Sequence, residues 1–521
     1  MKSALIFSAL FLHTAIGFAQ DDILELLPGS DFVEFSNKRA YHRLVGNVHF
    51  TYQGNEMFCD SAHYYEKAKI VRAYGKVHIN KRDTLNLFCD SLYYNGKKRK
   101  ATLWGNVRVR DNEFKLTTDT LEYDAKKGQA YYQHGGKVQS IKSNEVLTSK
   151  IGYFHPETKN FFFSKDVVYK GPDMNMTTDT LRYLYSQKKT YFQGPTNIEA
   201  KETKMYCESG WYNTETEEGS LQKNAWIARE SDYISGDTLL YKPKEGEYIG
   251  YGNVYYMDSV QKISFNSDYA FSSDTLNYSL LTGHAYATKI MQDDTLNIHA
   301  DTLFNYKSDS LELIKAYHGA RIFSREFQGR ADSIVYNKAG GKIEMHYSPI
   351  VWAKTAELKG TFIDVDLNDS LVEHINIYDN ATILMEVAPE LYYNQIGGKN
   401  IVADFRDNDL YQATVVGNAM TVSFPEDNEV GDTVTTVTRM GMNRLYSSRL
   451  RIDIDSNEIT GVTYIDQPDG AFYPMDQIVK SEQFIPGFDW KKALRPKKLE
   501  DIFREDAIEI EEKKDESSLE N

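Results

Sequence analysis

Between residues 75 and 104, apolar and polar side chains take turns. The run reads Gly75-Lys76-Val77-His78-Ile79, a polar break at Asn80-Lys81-Arg82-Asp83, then Leu85-Asn86-Leu87-Phe88-Cys89-Asp90. Leu92-Tyr93-Tyr94 follows, closed by a second polar break at Asn95-Gly96-Lys97-Lys98-Arg99-Lys100. A period of two sends alternate side chains to opposite faces of a strand. Turn-formers interrupt it about every 15 positions, so the segment predicts strand, turn, strand, turn.

The same unit returns along the chain. An aspartate, then Ser or Thr, then an apolar residue and a tyrosine occur at Asp60-Ser61-Ala62-His63-Tyr64, Asp90-Ser91-Leu92-Tyr93-Tyr94, Asp119-Thr120-Leu121-Glu122-Tyr123, Asp179-Thr180-Leu181-Arg182-Tyr183 and Asp237-Thr238-Leu239-Leu240-Tyr241. Looser copies start at Asp301 and Asp332, and Ser149-Lys150-Ile151-Gly152-Tyr153 reads as a degenerate copy between Asp119 and Asp179. A second marker keeps the same phase: Gly46-Asn47-Val48, Gly75-Lys76-Val77, Gly105-Asn106-Val107, Gly136-Lys137-Val138 and Gly252-Asn253-Val254. A fixed period of about 30 residues means a repeat array, in which each unit buries its apolar side only against its neighbours.

Two columns flank each aspartate. Three residues before it stand Met57, Leu87, Leu116, Val146, Met176, Met205, Ile234, Phe265 and Ile298; two after it stand Ala62, Leu92, Leu121, Ile151, Leu181, Leu239, Ala270, Leu303 and Ile334. Their separation is odd, so a regular strand would send them to opposite faces. A bulge or corner at the Asp-Ser/Thr pair returns both to one side. Parallel coils and an antiparallel jellyroll both fit the period, and the turns decide between them. Asn95-Gly96, Lys127-Gly128 and Glu245-Gly246 alternate at half-period with Arg110-Asp111-Asn112 and Gly171-Pro172-Asp173, as hairpins require. The expected fold is all-β: an elongated antiparallel jellyroll, a sheet folded over its own apolar face. Equivalent positions then lie about 9.6 Å apart, two strands on, too far for a Cys59–Cys89 disulfide. Cys59, Cys89 and Cys207 read as small buried hydrophobes.

These units resemble the OstA family, lipopolysaccharide-transport proteins whose periplasmic bridge member is a bent, open antiparallel jellyroll. The Gly-Asn-Val starts at Gly46 and Gly105 and the segments Asp90–Tyr94 and Asp119–Tyr123 carry the likeness, which runs clearly over 30–340 and more weakly to about 425. The chain departs from the short bridge proteins in having far more repeats, and it carries no recognisable outer-membrane barrel half. The resemblance implies acyl chains held in the cleft of the folded sheet with the sugar head outside. Candidate lining residues are Met57, Leu85, Leu87, Leu92, Phe114, Leu116, Leu121, Val146, Met176 and Leu181. The same side chains also suit a closed, filled core.

The tyrosine column (Tyr64, Tyr94, Tyr123, Tyr153, Tyr183, Tyr212, Tyr241, Tyr336) reads as an aromatic ladder or as rings at a groove mouth. Capping of backbone N–H groups explains the aspartates better than calcium does. The basic turn Lys97-Lys98-Arg99-Lys100, with Lys126-Lys127 and Lys188-Lys189 at equivalent turns, suits anionic head groups as well as it suits charged tips that block edge pairing. No nucleophile-elbow, zinc or phosphate-loop motif appears, so the expectation is a non-enzymatic protein without metal or cofactor.

Composition and the two ends complete the picture. With 60 Lys+Arg against 75 Asp+Glu, the net charge of −15 argues against nucleic acid as a partner. Lys2, an apolar stretch from Ala4 to Leu12 and Gly17-Phe18-Ala19 predict a cleaved signal peptide over 1–19, and no later run is apolar enough to span a bilayer. The repeat domain is expected over 20–430, a capping segment over 431–504 and a disordered charged tail over 505–521. Together these point to a periplasmic, outer-membrane-directed carrier of lipopolysaccharide or a related lipid that meets other transport components by edge-strand addition. An exported structural or adhesion repeat with a closed core is the rival reading, and a carbohydrate-acting β-solenoid is the third.

Overall fold

The computed structural model describes residues 25–504 apart from short stretches at 36–38, 53–54, 82–84, 113, 156–157, 159, 214, 243, 292–293, 309–310, 369–370, 408, 431–434 and 456–457. The expected signal peptide and charged tail lie outside the described residues. The chain is built of antiparallel strands with a few short 3-10 turns near its C-terminal end, and it divides into two compact units between Gly250 and Tyr251.

In the N-terminal unit, two short strands, β1 (Glu25–Leu26) and β2 (Phe32–Glu34), both pair with β3 (His42–Tyr52). A meander follows: β4 (Asn55–Tyr65), β5 (Ile70–Lys81), β6 (Leu85–Asn95), β7 (Lys100–Arg110) and β8 (Phe114–Asp124), each bonded to the strand before it. Every one of these strands crosses a corner in its middle. At the corner of β7, Gly105 and Asn106 stand opposite the single residue Asp119 of β8, since Trp104 pairs with Thr120 and Val107 with Thr118. That is a β-bulge, and it bends the strand. The extra residue therefore belongs to the Gly-Asn strand and not to the Asp-Ser/Thr pair.

The bend splits the sheet into two arms. Arm A carries the residues just before each aspartate (Met57 and Cys59 on β4), and arm B those just after it (Ala62 and Tyr64). Inward positions of both arms join one core: Val48, Phe50, Cys59, Val77, Cys89 and Val107 from arm A pack with Leu44, Ala62, Ala73, Leu92, Leu103 and Leu121 from arm B. Beyond β8 some passes break at the corner into separate strands. Gln129–Tyr132 continues arm B and Gly136–Ser140 continues arm A, both paired to β8.

A side-chain lock holds several of the corners. Gly105 and Asn106 both take left-handed backbone angles, φ +78° and +49°, which glycine and asparagine tolerate best. A Cβ on Gly105 would lie 2.5 Å from the Asp90 carboxylate on the neighbouring strand. The Asn106 amide donates to that carboxylate at 2.7 Å. Asn47 donates to Asp31 at 3.2 Å and Asn224 to Glu208 at 2.8 Å, with the same 16-residue separation. One repeat reverses the charges: Lys150 stands in the aspartate column and pairs at 2.5 Å with Asp166, which takes the asparagine's corner position at φ +52°.

In the C-terminal unit the sheet runs through Glu312–Phe323, Phe327–Asn337 and four long strands, Leu371–Ala388, Tyr392–Arg406, Asp409–Ser423 and Gly441–Asp455. The segment after 431 thus adds strands to the sheet before it leaves it. Residues 475–504 then cap the unit by lying across several strands. Arg444 donates to the carbonyls of Glu482 and Phe484, Gln395 to that of Gln483, and Arg321 to that of Ile502; Glu357 accepts from the Lys491 backbone N–H. Buried polar groups need such partners, so the strap covers the outer face at the places where the sheet carries them.

The corner predicts its own energetics. Gly105→Ala should destabilise by about 1–2 kcal/mol from the left-handed angle alone, plus the clash with Asp90. In a double-mutant cycle followed by chemical denaturation, Asp90→Gly, which removes both the carboxylate and the Asp90 Cβ at 2.8 Å, should recover the clash and leave the angle cost. Additive effects of the two substitutions would contradict the lock.

Candidate functional site: an apolar trough between the arms

Small and β-branched residues sit deepest, next to the corners. Cys59, Ala62, Ala73, Val77 and Cys89 are all buried there. Towards the free edges of the arms the side chains grow larger and less covered. Met57, Ile79, Leu85, Leu87 and Leu116 on arm A, and Tyr64, Tyr94 and Ala101 on arm B, are apolar, packed on the core and only half-buried. The arrangement is a trough with a closed floor and an apolar, partly wetted mouth.

The tyrosines reach across it. Tyr64 meets Phe50 of the opposite arm edge-on, with ring centroids 6.4 Å apart, and Tyr94 meets Tyr52 at 6.1 Å. These are cross-arm contacts, so the column is not simply a ladder along one arm. Burial pushes the Tyr64 and Tyr212 hydroxyls above the usual phenol range. Tyr153 lies outside this set, on the other face of its strand, stacked on Tyr131 at 5.6 Å.

The candidate lining residues separate into two groups. Met57, Leu85, Leu87 and Leu116 line the half-open mouth, whereas Leu92, Phe114, Leu121, Met176 and Leu181 are buried in the walls and floor. Val146 is a correction. It faces away from the trough, and its neighbour Leu147, fully buried, points in. Because Lys150 and not Ser149 occupies the aspartate column, the degenerate repeat is shifted by one residue, and a one-residue shift exchanges the faces of a strand. Ile151 yields its inward place to Gly152 for the same reason.

Exposure also varies along the trough. The residue three before the corner is half-buried at Met57, Leu87 and Leu116, buried at Leu147 and Met176, and half-buried again at Met205 and Ile234. In the C-terminal unit the equivalent Phe265 and Ile298 are buried, with Leu303, Ile314, Ile334 and Ile343. That interior is filled.

The basic candidates Lys97, Lys98, Arg99 and Lys100 occupy an exposed hairpin tip at the end of arm B, where Lys100 pairs with Asp124 at 3.1 Å. The aspartate column binds the neighbouring corner through asparagine side chains, a role the capping argument did not foresee. Among the described residues no three His, Cys, Asp or Glu side chains gather as a metal site, and no helix is long and apolar enough to cross a membrane.

Residues 29–179 match the model of the OstA-like protein family. This stretch is similar to OstA-like proteins. Its limits enclose β3 to β8 and the charge-reversed corner at Lys150. Among solved structures, the chain is similar to the crystal structure of LptH from Pseudomonas aeruginosa, described as the LptA-homologous periplasmic component of the lipopolysaccharide transport device. The similarity has 12% identity and a TM-score of 0.21, and it covers 28% of this chain and 95% of that one. No curated protein matches.

All three cysteines are free, and burial pushes the Cys59 and Cys89 thiols up to about 12 and Cys207 to about 11. A thiol that holds its proton more tightly when folded stabilises the fold below its unfolded pKa of about 8.5 and loses that contribution as pH rises towards the folded value. The native thiols should therefore resist alkylation at pH 8 and react on unfolding, and stability should begin to fall above about pH 9 in the wild type but less in a Cys59→Ala/Cys89→Ala variant. Rapid native alkylation would contradict the buried floor.

Proposed function

We propose that this chain is an exported, non-enzymatic carrier that takes part in lipopolysaccharide transport, holding acyl tails in the trough of its OstA-like unit. The half-buried apolar mouth carries the reading: Met57, Ile79, Leu85, Leu87 and Leu116 face Tyr64, Tyr94 and Ala101 across an interior that narrows to small side chains. Each methylene withdrawn from water contributes about 0.8 kcal/mol without directional demands. A smooth apolar lining therefore holds a tail firmly while permitting it to slide. The tyrosines suit the boundary between tail and water, since each offers a ring to one and a hydroxyl to the other.

Head groups carrying phosphate would remain outside, within reach of Lys97, Lys98, Arg99 and Lys100. The likeness of residues 29–179 to OstA proteins supports a periplasmic place near the outer membrane and a neighbour in the same pathway. The edge at β1 and β2, with Phe32 and Phe35 exposed, suits strand addition by such a neighbour. The reading requires no cofactor. The filled interior of the C-terminal unit favours a structural role for that part.

The test is direct. The purified protein should carry lipid, identified by mass spectrometry as acylated saccharide, and Leu87→Asp or Leu116→Asp should each weaken binding of a fluorescent lipid probe at least about tenfold. Tenfold corresponds to about 1.4 kcal/mol, less than two buried methylenes. Lipid absent from the wild type and never bound by it would end the proposal.

A further inference from the structure

At one repeat the trough loses its regularity in several ways at once. Both passes there are broken at the corner, into Gln129–Tyr132 and Gly136–Ser140, then Val146–Ser149 and Ile151–His155. The corner lock is charge-reversed, with Lys150 paired to Asp166. The floor turns polar, with Thr118 donating to the Gly135 carbonyl at 2.7 Å and Ser149 donating to that of Ile151 at 2.9 Å. Across this floor lies Tyr132.

Its ring starts on arm B and fills the space left by two glycines, Gly152 beside it on arm B and Gly136 on arm A, where a Cβ at either would collide with the ring. Its hydroxyl shares a hydrogen bond of 2.7 Å with Ser149 on arm A. Tyr132 is thus a tie between the arms, and it is almost completely buried.

The apolar interior divides at the same place. One buried cluster runs from Leu44 to Tyr132 and another from Phe114 to Leu239, with half-buried Leu85 and Leu116 packing on both. Among the described residues, Leu85 and Leu116 alone bridge the two clusters on the mouth side, while the depth is interrupted. Exposure follows the same division, since Leu147 and Met176 seal the stretch between the half-open rows at Met57–Leu116 and Met205–Ile234.

We propose that Tyr132 forms a waist that separates two tail-binding bays, so that it determines how long an acyl chain the first bay accepts. This rests on the carrier reading above and adds a specificity-determining residue to it. The six strands β3 to β8 span about 24 Å at the usual strand spacing. Half of a bilayer's hydrocarbon core is about 15 Å, so the first bay takes a complete membrane-lipid tail and ends at Tyr132.

Displacement of a fluorescent fatty acid by saturated fatty acids of increasing length tests the waist. In the wild type, affinity should rise by up to about fourfold per methylene and then level off once the tail reaches Tyr132. In Tyr132→Ala the rise should continue to longer chains while short-chain affinity stays within about twofold of wild type. Tyr132→Phe and Ser149→Ala, which remove the tie and keep the packing, should each shift the plateau in the same direction, and they decide the matter if Tyr132→Ala does not fold by circular dichroism. Chain-length profiles identical to wild type in the folded variants would overturn the waist and leave the carrier reading standing. A wild type that binds no fatty acid and no acylated saccharide would overturn both.

Discussion

The structure depends on a backbone that bends in the middle of each strand. A flat strand alternates its faces without exception, so residues an odd number apart oppose each other. Here the residues three before and two after each corner share one interior because Gly-Asn adds a residue in the left-handed region and turns the strand. Such angles are costly for most residues, and the neighbouring carboxylate helps to fix them. Asp90 fills the space that a Cβ on Gly105 would need and accepts the Asn106 amide. Because the lock joins adjacent strands, one bend registers the next. A folded sheet results with no α-helix over it among the described residues.

A sheet folded on itself has one open side, and the two units treat it differently. In the C-terminal unit the interior is filled by Ile, Leu, Val and Met side chains of near-zero exposure. Its outer face is covered as well, by a strap whose backbone carbonyls accept from Arg321, Arg444 and Gln395 and whose Lys491 N–H donates to Glu357. In the N-terminal unit the row from Met57 to Leu116 stays half-wet. Apolar surface left in water at about 25 cal/mol per Å² is a standing cost that close packing would have removed, and the C-terminal unit shows that the same repeat can be packed closed.

Much of this was legible in the chain. The joint phase of Gly46, Gly75 and Gly105 with Asp60, Asp90 and Asp119 identified the repeat, and the half-period turns at Asn95-Gly96 and Arg110-Asp111-Asn112 identified hairpins. The odd spacing of Leu87 and Leu92 required a corner. What escaped had physical reasons. The frame at Val146 slipped because a lysine stands where the other repeats carry a carboxylate, and only the pairing to Asp166 reveals that Lys150 does the same work with the charges exchanged. Tyr132 was invisible because its meaning comes from two absent side chains, at Gly136 and Gly152, brought beside it by strand pairing. Half-exposure could not be read either, since Leu87 and Ile298 both stand three before an aspartate and differ only in what lies over them.

In the proposed carrier, hydrophobic contact accounts for the holding of a tail, but it does not account for selection among tails. Burial is non-directional and nearly proportional to area, so a uniform lining of Leu, Val and Met accepts any chain that fits and gains with every methylene added. Selection needs an element that stops the gain. In the proposed waist an aromatic ring fixed at both ends would supply one, because moving it requires breaking the bond to Ser149 and leaving Gly136 and Gly152 facing empty space, which a close-packed interior resists. The polar floor adds to this, since a methylene pressed against the Thr118 and Ser149 hydroxyls gains less than one against Ala62 or Val77. In a repeat architecture, discrimination therefore falls on the unit that departs from the repeat.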